Sequence, residues 1–255
     1  MKTTFLWILL GSFLIGCNTT ENPNTDTLEG AEQLSSTTEE LKLVEKITYA
    51  PDSSKTVYQV NEHTNQKHGK YQEFDAAGTL RIERNYESDL ATGSEKMYNE
   101  AGKLTSQFLL NAGKYDGRFE YYYEDGTLKQ EGVYKEDKME GELKTYYANG
   151  KMKETIVLVG GKTQGPFVEY NENGTLKTEG TYNYKQEQET LEMGLLKEYD
   201  VEGELTTKKV CQDGVCCTIW TKADGAVNTK NSLCESIVEA YNANPENQET
   251  NSTVE

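Results

Sequence analysis

Glycines recur in this chain at a fixed interval. Gly69, Gly93, Gly117, Gly141 and Gly165 follow one another every 24 residues, and Gly78, Gly102, Gly126, Gly150 and Gly174 do the same, each nine residues behind its partner. A sixth copy, with Gly194 and Gly203, is displaced by a five-residue insertion within "YNYKQEQETLEM". A period of this length marks a stack of like supersecondary units, each burying its apolar side chains against its neighbours. The rest of each copy keeps the same register. An aromatic column runs through Phe74, Tyr98, Tyr122, Tyr146, Tyr170 and Tyr199, and an aliphatic one through Leu80, Leu104, Leu128, Met152, Leu176 and Leu205. The position ending each second half alternates: Tyr86, Leu110, Tyr134, Leu158, Tyr182, then Cys211 in the sixth copy.

The unit reads as a β-hairpin. Segments such as "RFEYYY" and "TLKQEGVY" have strand length and strand-forming residues. Between such halves lie "EDG", "NEAG", "ANG" and "NENG", and Asp-Gly or Asn-Gly supplies the positive φ of a tight turn. A helical reading fails, because a Gly or turn cluster interrupts every dozen residues or so. Segment 55–60, "KTVYQV", resembles the second half of an incomplete copy. The expected fold is mainly β: an elongated antiparallel meander of 24-residue β-hairpin repeats, about twelve to fourteen strands in all. Gly132 and Gly180 fall inside strands, where a bare backbone can accept a neighbouring ring. Lys129 with Glu131, and Lys177 with Glu179, read as a solvated charged face.

Copies such as "GRFEYYYEDGTLKQEGVY" and "GPFVEYNENGTLKTEGTY" resemble the MORN-variant repeat, whose pattern is G-x-aromatic-x-x-Y-x-x-x-G-x-L-K. Many proteins with that repeat carry the label of the YwqK-family antitoxins. The resemblance covers residues 55–210 and implies stacked β-hairpins, with an antitoxin or immunity role as one implied function. The second copy departs from the pattern. Glu95 stands where Tyr71, Phe119 and Phe167 stand elsewhere, so regular packing is not expected at that strand.

The N-terminus has a different character. "MKTTFLWILLGSFLIGC" has a positive start at Lys2 and an apolar run from Phe5 to Ile15, as in a secretory signal and too short to span a bilayer. It ends in "LIGC", which resembles the lipobox of bacterial lipoproteins. That resemblance implies removal of residues 1–16 and lipidation of Cys17, with two or more acyl chains holding the body on a membrane. Residues 17–42 then form a lipidated cysteine and an acidic tether, too poor in apolar side chains to order itself. Residues 242–255, "NANPENQETNSTVE", read as a similar tail. "ELKLVEKITY" is open between a short helix and a strand leading into the array at 43–210. Asn18 is not the Asp that retains enteric lipoproteins at the inner membrane, so the expected location is the cell envelope at the outer membrane.

Residues 211–241 read as a cap. Setting Cys17 aside, Cys211, Cys216, Cys217 and Cys234 form an even set, which favours disulfides outside the cytoplasm. "CQDGVC" reads as a two-residue turn at Asp213-Gly214, placing Cys211 across from Cys216 at a distance suited to a bridge. Cys217 then points to the other face and is left for Cys234. "SLCESIVEAYNA" carries the one strong helix signal: Ser232 and Glu235 form a capping box, and Leu233, Ile237 and Tyr241 share a stripe. The cysteine spacing fits no common zinc pattern, so no metal site is expected.

No catalytic residues stand out. His63 and His68, the only histidines, have no nucleophile at a motif spacing and read as turn-region surface residues. The carboxylates sit at repeat positions, no phosphate loop is present, and no cofactor is implied. A net charge of −17 repels phosphate backbones, which excludes nucleic acid as an expected partner. Three functions fit: a lipid-anchored envelope protein presenting a protein-binding or scaffold surface, an antitoxin or immunity protein, and a glycan-binding module using aromatic rows. Tyr122 belongs to the aromatic column, but Tyr121, Tyr123 and Tyr147 exceed what the repeat demands. Alternation puts Tyr121 and Tyr123 on the face away from Tyr122. They are the candidate binding patch, with extra packing at the array centre as the alternative.

Overall fold

The structure, a computed structural model, describes residues 40–185, 190–230 and 233–247. Its elements belong to one compact unit, Leu41–Glu255. After β1 (Leu43–Tyr49) and β2 (Lys55–Asn61), each copy supplies two strands: β3 (Lys67–Phe74) and β4 (Leu80–Glu87), β5 (Leu90–Tyr98) and β6 (Leu104–Asn111), β7 (Lys114–Tyr122) and β8 (Leu128–Lys135), β9 (Lys138–Tyr146) and β10 (Met152–Val159), β11 (Lys162–Tyr170) and β12 (Leu176–Tyr184), β13 (Thr190–Tyr199) and β14 (Leu205–Gln212). β15 (Val215–Thr221) and the two-residue β16 (Gly225–Ala226) follow, then helix α1 (Leu233–Ala243) and a 3₁₀ turn at Pro245–Asn247. All strands form one 16-stranded antiparallel meander in sequence order.

Sixteen strands exceed the dozen or so expected, for two reasons. "LVEKITY" is a strand, β1, paired along its whole length with β2. At the other end the ladder does not stop at the expected boundary between 210 and 211: β14 crosses it and pairs with the cysteine hairpin. The helix likewise runs to Ala243, past the expected start of the tail at 242. The capping Ser232, the lipobox with Cys17 and most of the tether and tail lie outside the described residues.

The two sequence columns are cross-strand partners. Each aromatic ends a first-half strand and faces the aliphatic that opens the second half: Phe74 with Leu80, Tyr98 with Leu104, Tyr122 with Leu128, Tyr146 with Met152, Tyr170 with Leu176, Tyr199 with Leu205. Between them the second glycine of the copy closes the turn. Gly126, at φ +90°, donates its N–H to the carbonyl of Tyr123, a conformation that costs a Cβ-bearing residue.

The first glycine has a different task. Between copies, Phe108 faces Phe119 and Leu110 faces Tyr115, so three residues of β7 around Gly117 oppose Leu109 alone. Gly117 (φ +126°) sits in that bulge, and a Cβ there would lie 2.9 Å from the Leu109 side chain. Bulges of this kind bend a strand and add twist, and this one recurs between every pair of copies. The joins after β4, β6, β8 and β10 are two-residue turns with positive φ at both positions, as at Ser88-Asp89, Ala112-Gly113 and Glu136-Asp137. The second residue of each bonds back to the preceding copy: the N–H of Asp89, Gly113 and Asp137 donates to the carbonyl of Lys67, Ala91 and Tyr115.

One face of the sheet carries the core. Phe108 faces Phe119, Phe119 faces Gly132, Leu143 faces Ile156, Ile156 faces Phe167 and Phe167 faces Gly180. Phe108, Phe119, Leu143, Leu158 and Phe167 are buried along this row. Gly132 and Gly180 make the row possible: a Cβ at either would come within 2.8 Å of the facing phenylalanine ring. The opposite face is charged, except where α1 packs its Ile237 against Val210 and Cys217 of β14 and β15.

Candidate functional site

The three surplus tyrosines do not form one patch. Tyr121 lies on the core face, opposite in direction to Tyr122, and its ring meets Phe108 and Phe119 edge-on, each at 5.6 Å between centroids. It lines a shallow cleft of about 480 Å³ with Thr105, Gln130 and Thr145. Tyr123 is one residue beyond β7, in the turn. Its hydroxyl donates to the carbonyl of Tyr146 at 2.7 Å, and the Tyr147 hydroxyl repeats this onto Tyr170, also at 2.7 Å. At Asp75, Asn99 and Asp200 the side chain in this position accepts backbone N–H groups of its own turn, and at Asn171 the amide donates to Thr175 Oγ1 at 3.0 Å. A tyrosine cannot accept there in that way. It reaches the next copy instead, under a lysine: Lys129 over Tyr123 and Lys153 over Tyr147.

The charged face is organised in units of two hairpins. Glu83, Glu131 and Glu179 recur every 48 residues, and each faces a lysine on the next strand: Lys96, Lys144 and Lys197. Each also accepts a hydroxyl from the following aromatic column: Tyr98 at 3.0 Å, Tyr146 at 2.6 Å, Tyr199 at 2.8 Å. Burial pushes these three phenols up to about 12, and the neighbouring carboxylate adds to the shift. At the middle station Arg118 bridges Glu120 and Glu131 (2.7 and 2.6 Å), which offsets two carboxylates placed directly opposite each other. For Glu179, burial works against ionisation, but the bonds from Lys197 and Tyr199 hold it below the usual carboxylate range.

The second copy's irregular residue is resolved by an ion pair. Glu95 is 1% exposed, on the core face between Arg84 and Phe108. Arg84 Nη1 lies 2.9 Å from its carboxylate, and the Tyr115 hydroxyl donates to it at 3.0 Å. The guanidinium is held over the rings of Tyr71 and Tyr86, while its buried Nε has no partner. β5 keeps its ladder on both sides; a charge pair fills the slot that a ring fills elsewhere.

The cysteines pair as Cys211–Cys216 and Cys217–Cys234, with Cα atoms 4.0 and 5.5 Å apart. The first closes a hairpin whose Asp213 and Gly214 both have positive φ; the second ties α1 to β15. His63 is in an exposed turn, whereas His68 is half-buried inside β3 rather than at a turn, because the copy's first strand starts before its glycine. No group of three His, Cys, Asp or Glu placed to hold a metal occurs among the described residues. No described helix is long and apolar enough to cross a membrane.

Four segments match the MORN repeat variant: residues 67–88, 115–136, 139–157 and 163–184. The copy with Glu95 and the copy with the insertion are not among them. No curated protein matches the chain. Among solved structures, a GtfA/B complex bound to UDP and GlcNAc is similar at 12% identity and TM-score 0.21 over 52% of this chain, which spans 23% of the length of that one. A porin-like protein from Bacteroides uniformis is similar at 11% identity and TM-score 0.19, over 70% of this chain and 94% of that one. The chain thus carries MORN-variant repeats, at least at those four segments, within a longer β-meander.

Proposed function

We propose that this is a non-enzymatic lipoprotein of the bacterial envelope, anchored through Cys17 at the outer membrane, whose sheet presents a surface to a protein partner. The observation that carries the reading is the pair of disulfides, Cys211–Cys216 and Cys217–Cys234. Such bridges persist in oxidising compartments outside the cytoplasm, and the signal-like "MKTTFLWILLGSFLIGC" supplies a route there. The charged face supports a binding rather than catalytic role. Its carboxylates bond tyrosine hydroxyls and cations at repeat intervals, and where two face each other, Glu120 and Glu131, Arg118 bridges them. An envelope immunity protein of the YwqK type is the second reading, supported by the repeat resemblance; a toxin encoded next to this chain would favour it.

Labelling with a palmitate analogue tests the anchor. The full chain takes up label and fractionates with the outer membrane, and Cys17→Ala abolishes both. A soluble, unlabelled full chain overturns the reading. Crosslinking in intact cells then identifies what the sheet holds.

A further inference from the structure

The two ends of the sheet differ. The last strand, β16, has only two residues, and a disulfide-tied helix packs beside it on β14 and β15. The first, β1, has seven residues, with no Pro, no Gly and no bulge in its ladder with β2. Every other ladder of comparable length contains a register shift. Natural sheets blunt long edges with bulges, prolines, short strands or charged side chains, and of these β1 has only its two charges, Glu45 and Lys46. Leu41, Leu43, Ile47 and Tyr49 are all among the exposed large apolar residues, at 48, 37, 51 and 72%.

The backbone identifies what can cover them. The Lys42 carbonyl accepts from Glu62 N–H. In an antiparallel ladder the bonded residues alternate. Lys42, Val44, Lys46 and Thr48 therefore turn their N–H and C=O groups to β2, and Leu43, Glu45, Ile47 and Tyr49 turn theirs outward. The same four residues point their side chains to the charged face. An incoming strand would thus find bonding groups and an apolar row together.

A second copy is a poor occupant. Around a two-fold axis, outward residues oppose outward residues. The register that pairs all of β1 is centred on Lys46 and sets Lys46 against Lys46, and shifting the centre to Glu45 sets Glu45 against Glu45; centring on Ile47 avoids both but pairs only Glu45 to Tyr49, because Ala50 and Pro51 follow the strand. Like charges directly opposite are destabilising, and a net charge of −17 on each chain opposes association further.

We propose that the outer edge of β1 accepts an extended segment of a partner protein by antiparallel strand addition. The segment alternates apolar with polar residues, carries a Lys or Arg opposite Glu45 and a carboxylate opposite Lys46, and has basic flanks. This site rests on the protein-binding reading above and makes it specific.

The probe is a capped peptide, Lys-Val-Thr-Val-Glu-Lys-Thr-Val-Ser-Lys, titrated into the full isotope-labelled chain, with its serine opposite Lys42. Its valines meet Tyr49, Ile47 and Leu43, and its central Glu and Lys meet Lys46 and Glu45. Amide shifts confined to β1 and β2, and at least a tenfold loss of affinity in Ile47→Pro, are expected. Proline there removes only an outward donor, so the ladder to β2 survives. Should that variant misfold, Glu45→Lys serves: it weakens the peptide tenfold or more, and exchanging the peptide's central Lys for Glu restores binding. No binding at millimolar peptide, shifts elsewhere on the sheet, or self-association through β1 overturns the proposal. Photo-crosslinkers in cells separate it from the wider reading. Capture of a partner at Val133 but not at Thr48 overturns the edge alone; capture at neither overturns both.

Discussion

Glu95 offers the sharpest test of how this sheet is held together. Its position is filled by Leu143 and Leu196 in other copies, so Glu95→Leu looks like a return to the repeat. The structure implies the reverse. Leucine would remove the carboxylate 2.9 Å from Arg84 Nη1, leaving a guanidinium that is 23% exposed on its side chain, with one buried nitrogen already unpartnered. Glu73, 3.6 Å away and more exposed, offsets only part of that loss. Breaking a buried pair from one side costs about 3–5 kcal/mol. With the Glu73 contact and partial solvent access retained, about 2–4 kcal/mol is expected here. The double variant Arg84→Gly with Glu95→Leu rebuilds, beside Tyr71, the arrangement of Phe119, Gly132 and Leu143. It should unfold within about 1 kcal/mol of the natural chain. Urea unfolding followed by circular dichroism gives the double-mutant cycle, and amide exchange localises the loss to β4–β6. If Glu95→Leu alone is neutral, or if the double variant loses as much as the single ones summed, the pair is not coupled and the reasoning fails.

Four further perturbations have defined outcomes. Gly132→Ala drives a methyl to 2.8 Å from Phe119 and should destabilise by about 1–3 kcal/mol, a loss that adding Phe119→Leu partly recovers in the same urea assay. Cys234→Ser frees α1 and exposes a thiol at Cys217; with the cysteines 17 positions apart the loss is on the order of 3 kcal/mol, seen as fast amide exchange in α1 while the repeat strands stay protected. Tyr123→Phe removes one hydroxyl bond between copies, costing about 0.5–1.5 kcal/mol in thermal unfolding without altering strand content. Alkaline titration should unfold the sheet: Tyr98, Tyr122, Tyr146 and Tyr199 are raised to about 12, by burial first and then by the carboxylate each donates to. Their contribution is complete below the ordinary tyrosine value near 10 and is lost as pH rises through the folded value. Strand signal should therefore be lost between those limits, and a chain that keeps its full strand signal through that range would refute it.

Much of the fold was legible because the hairpin unit is short and its turn chemistry is local. Asp125-Gly126, Asn149-Gly150, Asn173-Gly174 and Asp213-Gly214 mark turns, and the 24-residue columns identify residues that turn out to face each other, such as Tyr122 and Leu128. The turns between copies were not legible. Ser88, Ala112 and Glu136 adopt positive φ without being glycine or asparagine, so tertiary pairing imposes what the residues alone do not announce. The first glycine was misleading in the other direction: Gly117 looks like a turn residue and serves a bulge. At the candidate site, the surplus of Tyr121, Tyr123 and Tyr147 was visible, but their use was not. A hydroxyl reaching a carbonyl 23 residues away depends on strand spacing that no single copy contains. The partner of Glu95 was equally hidden, since Arg84 belongs to the previous hairpin.

The side chains that look spare at 24 residues are assigned once the unit is taken as 48. A phenylalanine at the core position of every copy would overfill the row, because each ring spreads over the next strand. Phe119 needs the bare backbone of Gly132 beside it, and Phe167 needs Gly180, while the copies between supply the smaller Leu143 and Leu196. The alternation of Tyr86, Tyr134 and Tyr182 with Leu110 and Leu158 follows the same two-hairpin period, as do the glutamates facing lysines on the other side. These side chains on both faces are therefore committed to holding the array, and the hydroxyls of Tyr123 and Tyr147 are spent in the same way. Among the described residues, the ladder leaves unpaired the outward N–H and C=O groups of Leu43, Glu45, Ile47 and Tyr49 at its start, with apolar side chains beside them. A sheet whose faces are occupied by its own pairing can still recognise a partner through an edge, because strand addition draws on backbone groups that no side-chain ladder uses.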